Sequence, residues 1–403
     1  MQSSFRSSDI LLPADVDYPK WSVIACDQFT SDRQYWDRVL AATAGVKSTF
    51  HMVFPEIDLE NNPKARIASI AQSMEEHYLT NTFKEHANSF VYVERTLLNG
   101  TIRPGIVGMV DLEQYHYDPV QKPAIGATEQ TVLERVPPRI AVRREALLEF
   151  PHIILFCNDA DNMLMQPVTE MKDRLPLLYD FDLMEGGGHI AGWLISGEDA
   201  EALQKQIDSY QQHASGTAFL VADGNHSLVT AKCWYEELKE KNPGKDLSTH
   251  PARYALVELE NILDESISFE PIHRVIFDTD PEKLLRDMAA ISCENGSEIS
   301  WCIGEKKGSI SLDVPKGQLP VAVLQGFLDK WLTENAGRID YIHDTEAVEA
   351  FAKQENAVGL LLPVFDKTEL FEYGASGKIL PRKTFSLGHS REKRYYLEGR
   401  KIR

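Results

Sequence analysis

Cysteine is scarce in this sequence of 403 residues, and its positions show no pairing pattern. The five cysteines have no CxxC spacing and lie scattered at Cys26, Cys157, Cys233, Cys293 and Cys302. This arrangement favours neither a disulfide framework nor a thiolate zinc site. The first residues lack a basic region followed by an apolar stretch, and no run approaches the roughly 20 apolar residues that span a bilayer. We therefore expect a cytoplasmic protein with reduced thiols and no membrane partner.

Positive charge is also in short supply. The sequence has 42 Lys and Arg against 61 Asp and Glu, a formal net charge of -19. Because so acidic a surface repels a phosphate backbone, we expect no nucleic-acid partner. The hydrophobic fraction of 43% and aromatic fraction of 9% are those of an ordinary folded protein, and the length predicts two or three domains.

Several enzyme motifs are missing as well. The 12 histidines form no HxH, HExxH or HxxxH pattern, so no metal site is predicted from them. There is no GxSxG nucleophile elbow and no glycine register of the Rossmann or P-loop kind. Residues 184–189, MEGGGH, instead predict a mobile hairpin or lid. Chemistry must therefore be sought in less familiar segments.

Short apolar runs alternate with helical patterns along the whole chain. The predicted strands are residues 21–26, 89–95, 105–112, 152–157, 217–222, 254–259 and 357–365. Apolar residues recurring at three and four predict helices over residues 62–79, 199–212, 227–241, 281–295 and 319–335. The pattern indicates a mixed α/β protein, which we divide into an N-terminal segment 1–125, a central core 126–275 and a C-terminal segment 276–403.

The most informative segment is a predicted strand, loop and helix over residues 217–241. Its loop is Asp223, Gly224, Asn225, His226 and Ser227. A helix N-terminus presents unpaired N–H groups and a positive dipole end, which suit a phosphate or carboxylate. His226 could donate a hydrogen bond or transfer a proton. The alternative is a simple cap at the start of the helix, and spacing alone does not decide between the two.

Two arginine-containing segments are further candidates. Pro137 and Pro138 predict an ordered loop that carries Arg135, Arg139, Arg143 and Arg144 near Glu129. Arginine forks grip anions, and Glu129 is a candidate general base; the alternative is a structural Arg–Glu pair. The pair His273 and Arg274 offers one titratable group beside one fixed cation.

The end of the chain is strongly basic. Residues 378–403 contain nine Lys or Arg against two Glu, within an acidic protein. Such a segment could attract a small anion, or it could be a solvated tail that pairs with acidic neighbours.

Five segments together resemble one protein family. ADGNHSLVTAK, residues 222–232, is similar to the ADGHHRYETAL-type motif of the family known as domain of unknown function 1015 (DUF1015). The other matches are WSVIACDQFTS (21–31), with Asp27 at the family's aspartate, ATEQTVLERVPPR (127–139), FEPIHRV (269–275) and ILPRKTFSLGHSREKRYYLEGRKI (379–402). The motif in turn is similar to the loop of the ParB/sulfiredoxin superfamily. That resemblance implies a ParB/sulfiredoxin-like core whose loop holds nucleotide phosphates.

This sequence departs from the family motif at two positions. Asn225 stands where the family has its first His, and Ser227 stands where it has Arg, so the loop lacks the cation that would pair with phosphate. Basic residues elsewhere would have to replace that cation. Some relatives also carry an Arg where this chain has Gly126.

Two hypotheses follow from the residues and the resemblance. The first is a phosphotransferase or phosphohydrolase that acts on a small anionic molecule, with ATP or ADP and Mg²⁺ as the implied cofactors. In this hypothesis, residues 223–227 hold the phosphate. Arg274 and Lys383 neutralise its charge, and His273 and Thr384 beside them also bind the ligand. The proton is transferred by Glu129, His226 or Asp27. The second is a non-catalytic sensor that uses the same pocket. DNA binding, by analogy with ParB, is disfavoured by the net charge.

Overall fold

A computed structural model describes residues 3–30, 32–58, 63–118, 123–131, 136–214, 216–381 and 383–403. The helices are α1 (Tyr18–Trp21), α2 (Arg33–Thr43), α3 (Pro63–Leu79), α4 (Val136–Glu145), α5 (Met165–Met171), α6 (Gly197–His213), α7 (Asn225–Lys241), α8 (Pro281–Asp287), α9 (Pro320–Glu334), α10 (Thr345–Phe351) and α11 (Glu369–Ala375). No helix among these described residues is long and apolar enough to cross a membrane.

The strands lie between these helices. They are β1 (Phe5–Arg6), β2 (Ser8–Pro13), β3 (Phe83–Thr96), β4 (Ile102–Asp111), β5 (Tyr115–His116), β6 (Ile125–Gly126), β7 (Leu148–Glu149), β8 (Ile154–Cys157), β9 (Leu177–Asp182), β10 (His189–Ile195), β11 (Phe219–Asp223), β12 (Tyr254–Asn261), β13 (Phe269–Pro271), β14 (His273–Phe277), β15 (Ser292–Ile303), β16 (Lys306–Leu312), β17 (Arg338–Ile342), β18 (Val358–Leu361), β19 (Phe385–Leu387) and β20 (Arg400–Lys401). The mixed α/β class is confirmed.

Most of the predicted elements are present, and two predictions are wrong. Residues 21–26 form no strand: α1 ends at Trp21, and Ile24 makes only an isolated bridge to Tyr395. The run is apolar because it is buried, not because it belongs to a sheet. The helix predicted over residues 281–295 ends at Asp287, because the chain turns into β15 at Ser292 and pairs with β16.

The chain divides into two units, with unit 1 formed by Met1–Ile267, Gly374–Gly377 and His389–Arg403. Its main sheet has the order β5-β6-β11-β8-β12-β4-β3-β10-β9, and β1 and β2 pair with β4 and β3. Parallel pairing is confined to β5 with β6, β6 with β11 and β8 with β12 among the described strands. Helix α4 packs against α3 and α7, and α6 contacts β1 and β3.

Unit 2 consists of Ser268–Tyr373 and Lys378–Gly388. Its five-stranded sheet has the order β16-β15-β18-β14-β17, and β13 pairs with β19. Val275, Cys302, Val348 and Val358 are buried in its core. The predicted boundary at 125/126 lies inside unit 1, and the one at 275/276 lies within β14 of unit 2.

The basic segment at the end of the chain belongs largely to unit 1 and is buried there. Gly399 bridges to Leu11, and Leu397 accepts a hydrogen bond from the indole of Trp21 at 3.2 Å. Arg400 lies 3.0 Å from Glu149 in β7, beside the strand pairing of β20 with β7. The interpretation as a solvated tail is therefore wrong for residues 392–400, because apolar packing and buried carboxylates hold them inside the unit.

Buried ion pairs fasten this segment to the main sheet. Arg394 lies 2.9 Å from Glu258 of β12 and 2.7 Å from Glu398, and all three side chains are almost fully buried. Next to them, Arg103 of β4 lies 3.1 Å from Glu260 of β12. Since a buried charge is costly without a partner, these pairs fix the position of the C-terminal segment.

Candidate functional site

The predicted loop joins β11 to α7 through a left-handed glycine. Gly224 has φ 75°, and its N–H donates to the Asp223 carboxylate at 2.8 Å. A Cβ at this position would lie 3.0 Å from Ile153 Cα and 3.3 Å from His152 Cδ2. Glycine is therefore required at this position for two reasons: its backbone is left-handed, and residues 152–153 pack too closely to leave room for a side chain. No side chain caps the first turn of α7.

Asn225 holds the loop in place. Its side-chain oxygen, Oδ1, accepts a hydrogen bond from the Tyr115 hydroxyl at 3.1 Å. Its side-chain nitrogen, Nδ2, donates to the backbone carbonyl of Glu129 at 2.9 Å and to the Thr131 hydroxyl at 3.0 Å. The residues after it are engaged as well, because the His226 carbonyl accepts from the Thr230 hydroxyl at 2.7 Å. Where the family motif has a His, this chain has an amide that joins α7 to residues 129–131.

His152 is the centre of the site. It is 5% exposed, and its Nε2 lies 3.5 Å from Asp27 Oδ2 and 3.5 Å from the Ser227 hydroxyl. Its Nδ1 lies 2.9 Å from the Tyr396 hydroxyl, which also accepts the Cys26 N–H at 3.0 Å. Three distant parts of the sequence thus converge on one imidazole.

His152 and Asp27 hold each other in charged form. Burial alone would raise the pKa of Asp27, but the charge of His152 and its hydrogen bond hold that pKa well below the usual range. Burial alone would lower the pKa of His152, but Asp27 and Asp223 raise it above its ordinary value. The two carboxylates outweigh the effect of burial, so the protonated form of His152 is more stable here than in an isolated imidazole.

Lys393 supplies a second cation. Its ammonium lies 3.0 Å from Asp223 Oδ2, and its side chain is 8% exposed. The residue comes from the buried C-terminal segment rather than from the loop. A cationic side chain from outside the loop thus lies beside the motif, in which Ser227 replaces the family's arginine. The lysine predicted to neutralise charge there was Lys383.

Next to His152 lies a cavity of about 160 Å³. Cys26, His152, Ser227, Thr230 and Tyr396 line its polar side. The rest of the wall is largely apolar and includes Met52, Val53, Phe54, Met74, Val142, Ala146, Leu148, Phe150, Ile153 and Ile402. The imidazole therefore faces a small, mostly hydrophobic chamber.

The arginine segment is a helix, not the predicted loop. Pro137 and Pro138 lie in the first turn of α4, where a missing N–H costs nothing. Arg139 forms an ion pair with Glu56, and Arg143 lies 2.6 Å from Glu149. Arg135 lies outside the described residues.

The remaining predicted residues belong to unit 2. Arg274 is 0% exposed in β14, with Nε 3.1 Å from Gln325 Oε1 and its guanidinium over the Tyr341 ring. His273 accepts the Leu362 N–H at 3.1 Å, and burial and Arg274 lower its pKa. These contacts give both side chains a structural role within β14. Thr384 donates to the Pro381 carbonyl at 2.7 Å, and Lys383 is exposed with φ 58°.

The structure places Asp27 and the loop, which were predicted, beside His152, Lys393 and Tyr396, which were not. His152 stands directly before a predicted strand, in PHIILFC, and a titratable residue at a strand end was the available signal. Lys393 and Tyr396 carried no local signal, because only the return of the C-terminal segment to unit 1 brings them to the loop.

One family matches most of the chain, and the solved structures are distant. The family described as "Protein of unknown function (DUF1015)" matches residues 11–362, which confirms the resemblance to that family; the segment 379–402 lies beyond the matched residues. No curated protein matches. A conserved hypothetical protein from Pyrococcus furiosus is 13% identical, with 73% of this chain and 94% of that chain covered at a TM-score of 0.38. A free serine kinase variant in complex with AMP is 13% identical (73% and 91% covered, TM-score 0.40). SbnI with C-terminal truncation from Staphylococcus aureus is 9% identical (70% and 82%, TM-score 0.38).

Proposed function

We propose that this chain, which belongs to the DUF1015 family, binds a small phosphate-bearing ligand at the start of α7 and transfers or hydrolyses its phosphoryl group. One observation carries the proposal. A helix that begins at a left-handed glycine without a side-chain cap stands beside the buried imidazole of His152, and Asp27 and Asp223 favour the protonated form of that ring. Helix N-termini bind anions through backbone N–H groups and the dipole, and a fixed positive charge strengthens that binding. A ParB/sulfiredoxin-like core around β11 and α7 is part of the proposal.

Asp27 is the proposed general base. Its carboxylate is held ionised by His152, and its Oδ2 and the Ser227 hydroxyl each lie 3.5 Å from the same imidazole nitrogen. In the reaction, a substrate hydroxyl or a water oxygen forms a bond to phosphorus while the bond to the leaving oxygen breaks. The hydroxyl proton passes to Asp27, and His152 and Lys393 stabilise the negative charge on the phosphoryl oxygens. Glu129 and His226 stay alternative proton carriers.

ATP or ADP with Mg²⁺ is the proposed phosphoryl donor. The described residues contain no group of three or more His, Cys, Asp or Glu that could hold a metal ion by themselves. Mg²⁺ is commonly held by one or two carboxylates together with substrate phosphates. Asp223, which acts on His152 electrostatically and stands at the start of the loop, is the carboxylate that fits this role, because Asp27 is the proposed proton acceptor.

A non-catalytic sensor that uses the same site is the second candidate. It is favoured by Asn225, whose side chain is committed to Tyr115, Glu129 and Thr131 rather than to a ligand. Binding is common to both candidates, and only turnover separates them.

The test is a thermal-stability screen over inorganic phosphate, ATP, ADP, GTP and sugar phosphates, with and without Mg²⁺. We expect a phosphate-bearing ligand to raise the melting temperature of unit 1. Ser227→Ala should reduce that shift, whereas Ser196→Ala should not, because Ser196 precedes α6 of the same unit, away from the site. Phosphorus NMR of the stabilising mixture then detects turnover or its absence. Equal shifts in both variants, or no shift with any phosphate, would refute the proposal.

A further inference from the structure

The cavity beside His152 is suited to the apolar part of a ligand. Its volume of about 160 Å³ is close to that of an apolar protein cavity known to take up benzene, which is about 150 Å³. Side chains of Met52, Phe54, Met74 and Leu148 line it. A chamber of this size holds about six carbon atoms.

One side of the same cavity is polar and adjoins the proposed phosphate position. Ser227 and Thr230, which are neighbours one turn apart on α7, both line it together with His152. The ligand that fills the chamber can therefore present its polar end to the first turn of α7.

Four charged residues also line the cavity, and they form two ion pairs. Arg139 is paired with Glu56, and Arg143 lies 2.6 Å from Glu149. Because the charges of these four residues balance, the polar end of a ligand is directed by Ser227, Thr230 and His152 on the polar side of the cavity.

We infer that the substrates are phosphate monoesters with a compact apolar body of about six carbons, or the alcohols from which such esters form. The body lies in the cavity, and the phosphate lies against Ser227 and His152 at the start of α7. This inference rests on the proposed function, because it adds a hydrophobic subsite to the phosphate site. Inorganic phosphate, which has no apolar body, should occupy the phosphate position and leave the cavity empty.

The experiment compares three probes by isothermal titration calorimetry: phenyl phosphate, inorganic phosphate and benzyl alcohol. Phenyl phosphate should bind at least tenfold more tightly than inorganic phosphate, which corresponds to about 1.4 kcal/mol. Benzyl alcohol, which has the ring without the anion, should bind more weakly than phenyl phosphate.

A matched pair of variants identifies the subsite. Ala146 is a buried alanine that lines the cavity, so Ala146→Val should remove the preference for phenyl phosphate and leave the affinity for inorganic phosphate unchanged. Ala200→Val, at a buried alanine of α6 outside the cavity, should keep the preference. Ala146→Ser serves as the variant of smaller volume if the valine variant does not fold, and it should keep the preference too.

The outcomes distinguish the two proposals. Equal affinity for phenyl phosphate and inorganic phosphate overturns this inference and leaves the phosphate site intact. Benzyl alcohol binding as tightly as phenyl phosphate shows that the phosphate adds no affinity, and it overturns both this inference and the proposed phosphate site. If the Ala146→Val variant still binds phenyl phosphate more tightly than inorganic phosphate, the inference of a hydrophobic subsite is also overturned. Failure of both phosphates to bind refutes the proposed function itself.

Discussion

Gly224 gives the sharpest prediction for the site. Its φ of 75° is unfavourable for a residue with a side chain, which costs about 1–2 kcal/mol. A Cβ would in addition lie 3.0 Å from Ile153 Cα, a backbone atom that cannot rotate away. Overpacking of this kind costs about 1–3 kcal/mol. We therefore expect Gly224→Ala to lower the free energy of unfolding of unit 1 by about 3 kcal/mol.

Gly197 provides the matched control. It also opens a helix of unit 1, has φ 58°, and a Cβ there would meet nothing within 4 Å. Gly197→Ala should therefore carry the conformational cost alone, about 1–2 kcal/mol. The difference between the two variants isolates the contact of Gly224 with Ile153 and His152.

The assay must report on unit 1 alone, because the chain has two units and its unfolding need not be two-state. Hydrogen exchange followed by mass spectrometry in increasing urea, read on peptides from β11 and β12, gives that stability. Gly224→Ala should also weaken phosphate binding, because the added methyl group displaces His152. If Gly224→Ala costs no more than Gly197→Ala, the close approach at this turn is not real and the description of the site fails.

Two further predictions concern charge. Arg394→Met should destabilise unit 1 by about 3–5 kcal/mol in the same assay, because it leaves the buried carboxylate of Glu258 without its partner. Arg174→Met removes one partner of an exposed ion pair and should have a much smaller effect. Equal effects of the two substitutions would contradict a buried network. The second prediction concerns His152, whose pKa in the folded protein is raised above its unfolded value of about 6.5. Protonated His152 therefore contributes fully to the stability of the fold below about pH 6.5, and this contribution is lost as the pH rises through the folded pKa. Asp27→Asn should lower this pKa in an NMR titration of the His152 ring, and an unchanged pKa would show that the carboxylate does not hold the charge.

The sequence was a good guide to elements whose signal is local. The run 254–259 is apolar except for Glu258, and it became β12, a strand buried at every position between β4 and β8. The loop 223–227 was also found, because the end of an apolar strand, a glycine and an amphipathic pattern stand next to each other. Proline misled the prediction at α4, since its effect depends on whether it falls in the first turn of a helix or later.

What could not be predicted depends on contacts between distant residues. Lys393 reaches Asp223 and Tyr396 reaches His152 because the segment after unit 2 returns to unit 1. No periodicity in the sequence encodes that return. Separation along the sequence also explains why Arg274 was predicted to bind a ligand. The residues around it do not reveal that its guanidinium donates hydrogen bonds to Gln325 and to the carbonyl of Ile272.

The return of the C-terminal segment also has a consequence for synthesis on the ribosome. While unit 2 is being made, residues 3–267 have emerged without the strand and cations that complete them. During that interval Glu258 and Asp223 lack Arg394 and Lys393, and Trp21 lacks its acceptor at Leu397. The nascent chain therefore holds an unfinished site, exposed to chaperones and proteases, until residues 393–397 leave the exit tunnel. The site would be completed in one late step rather than gradually.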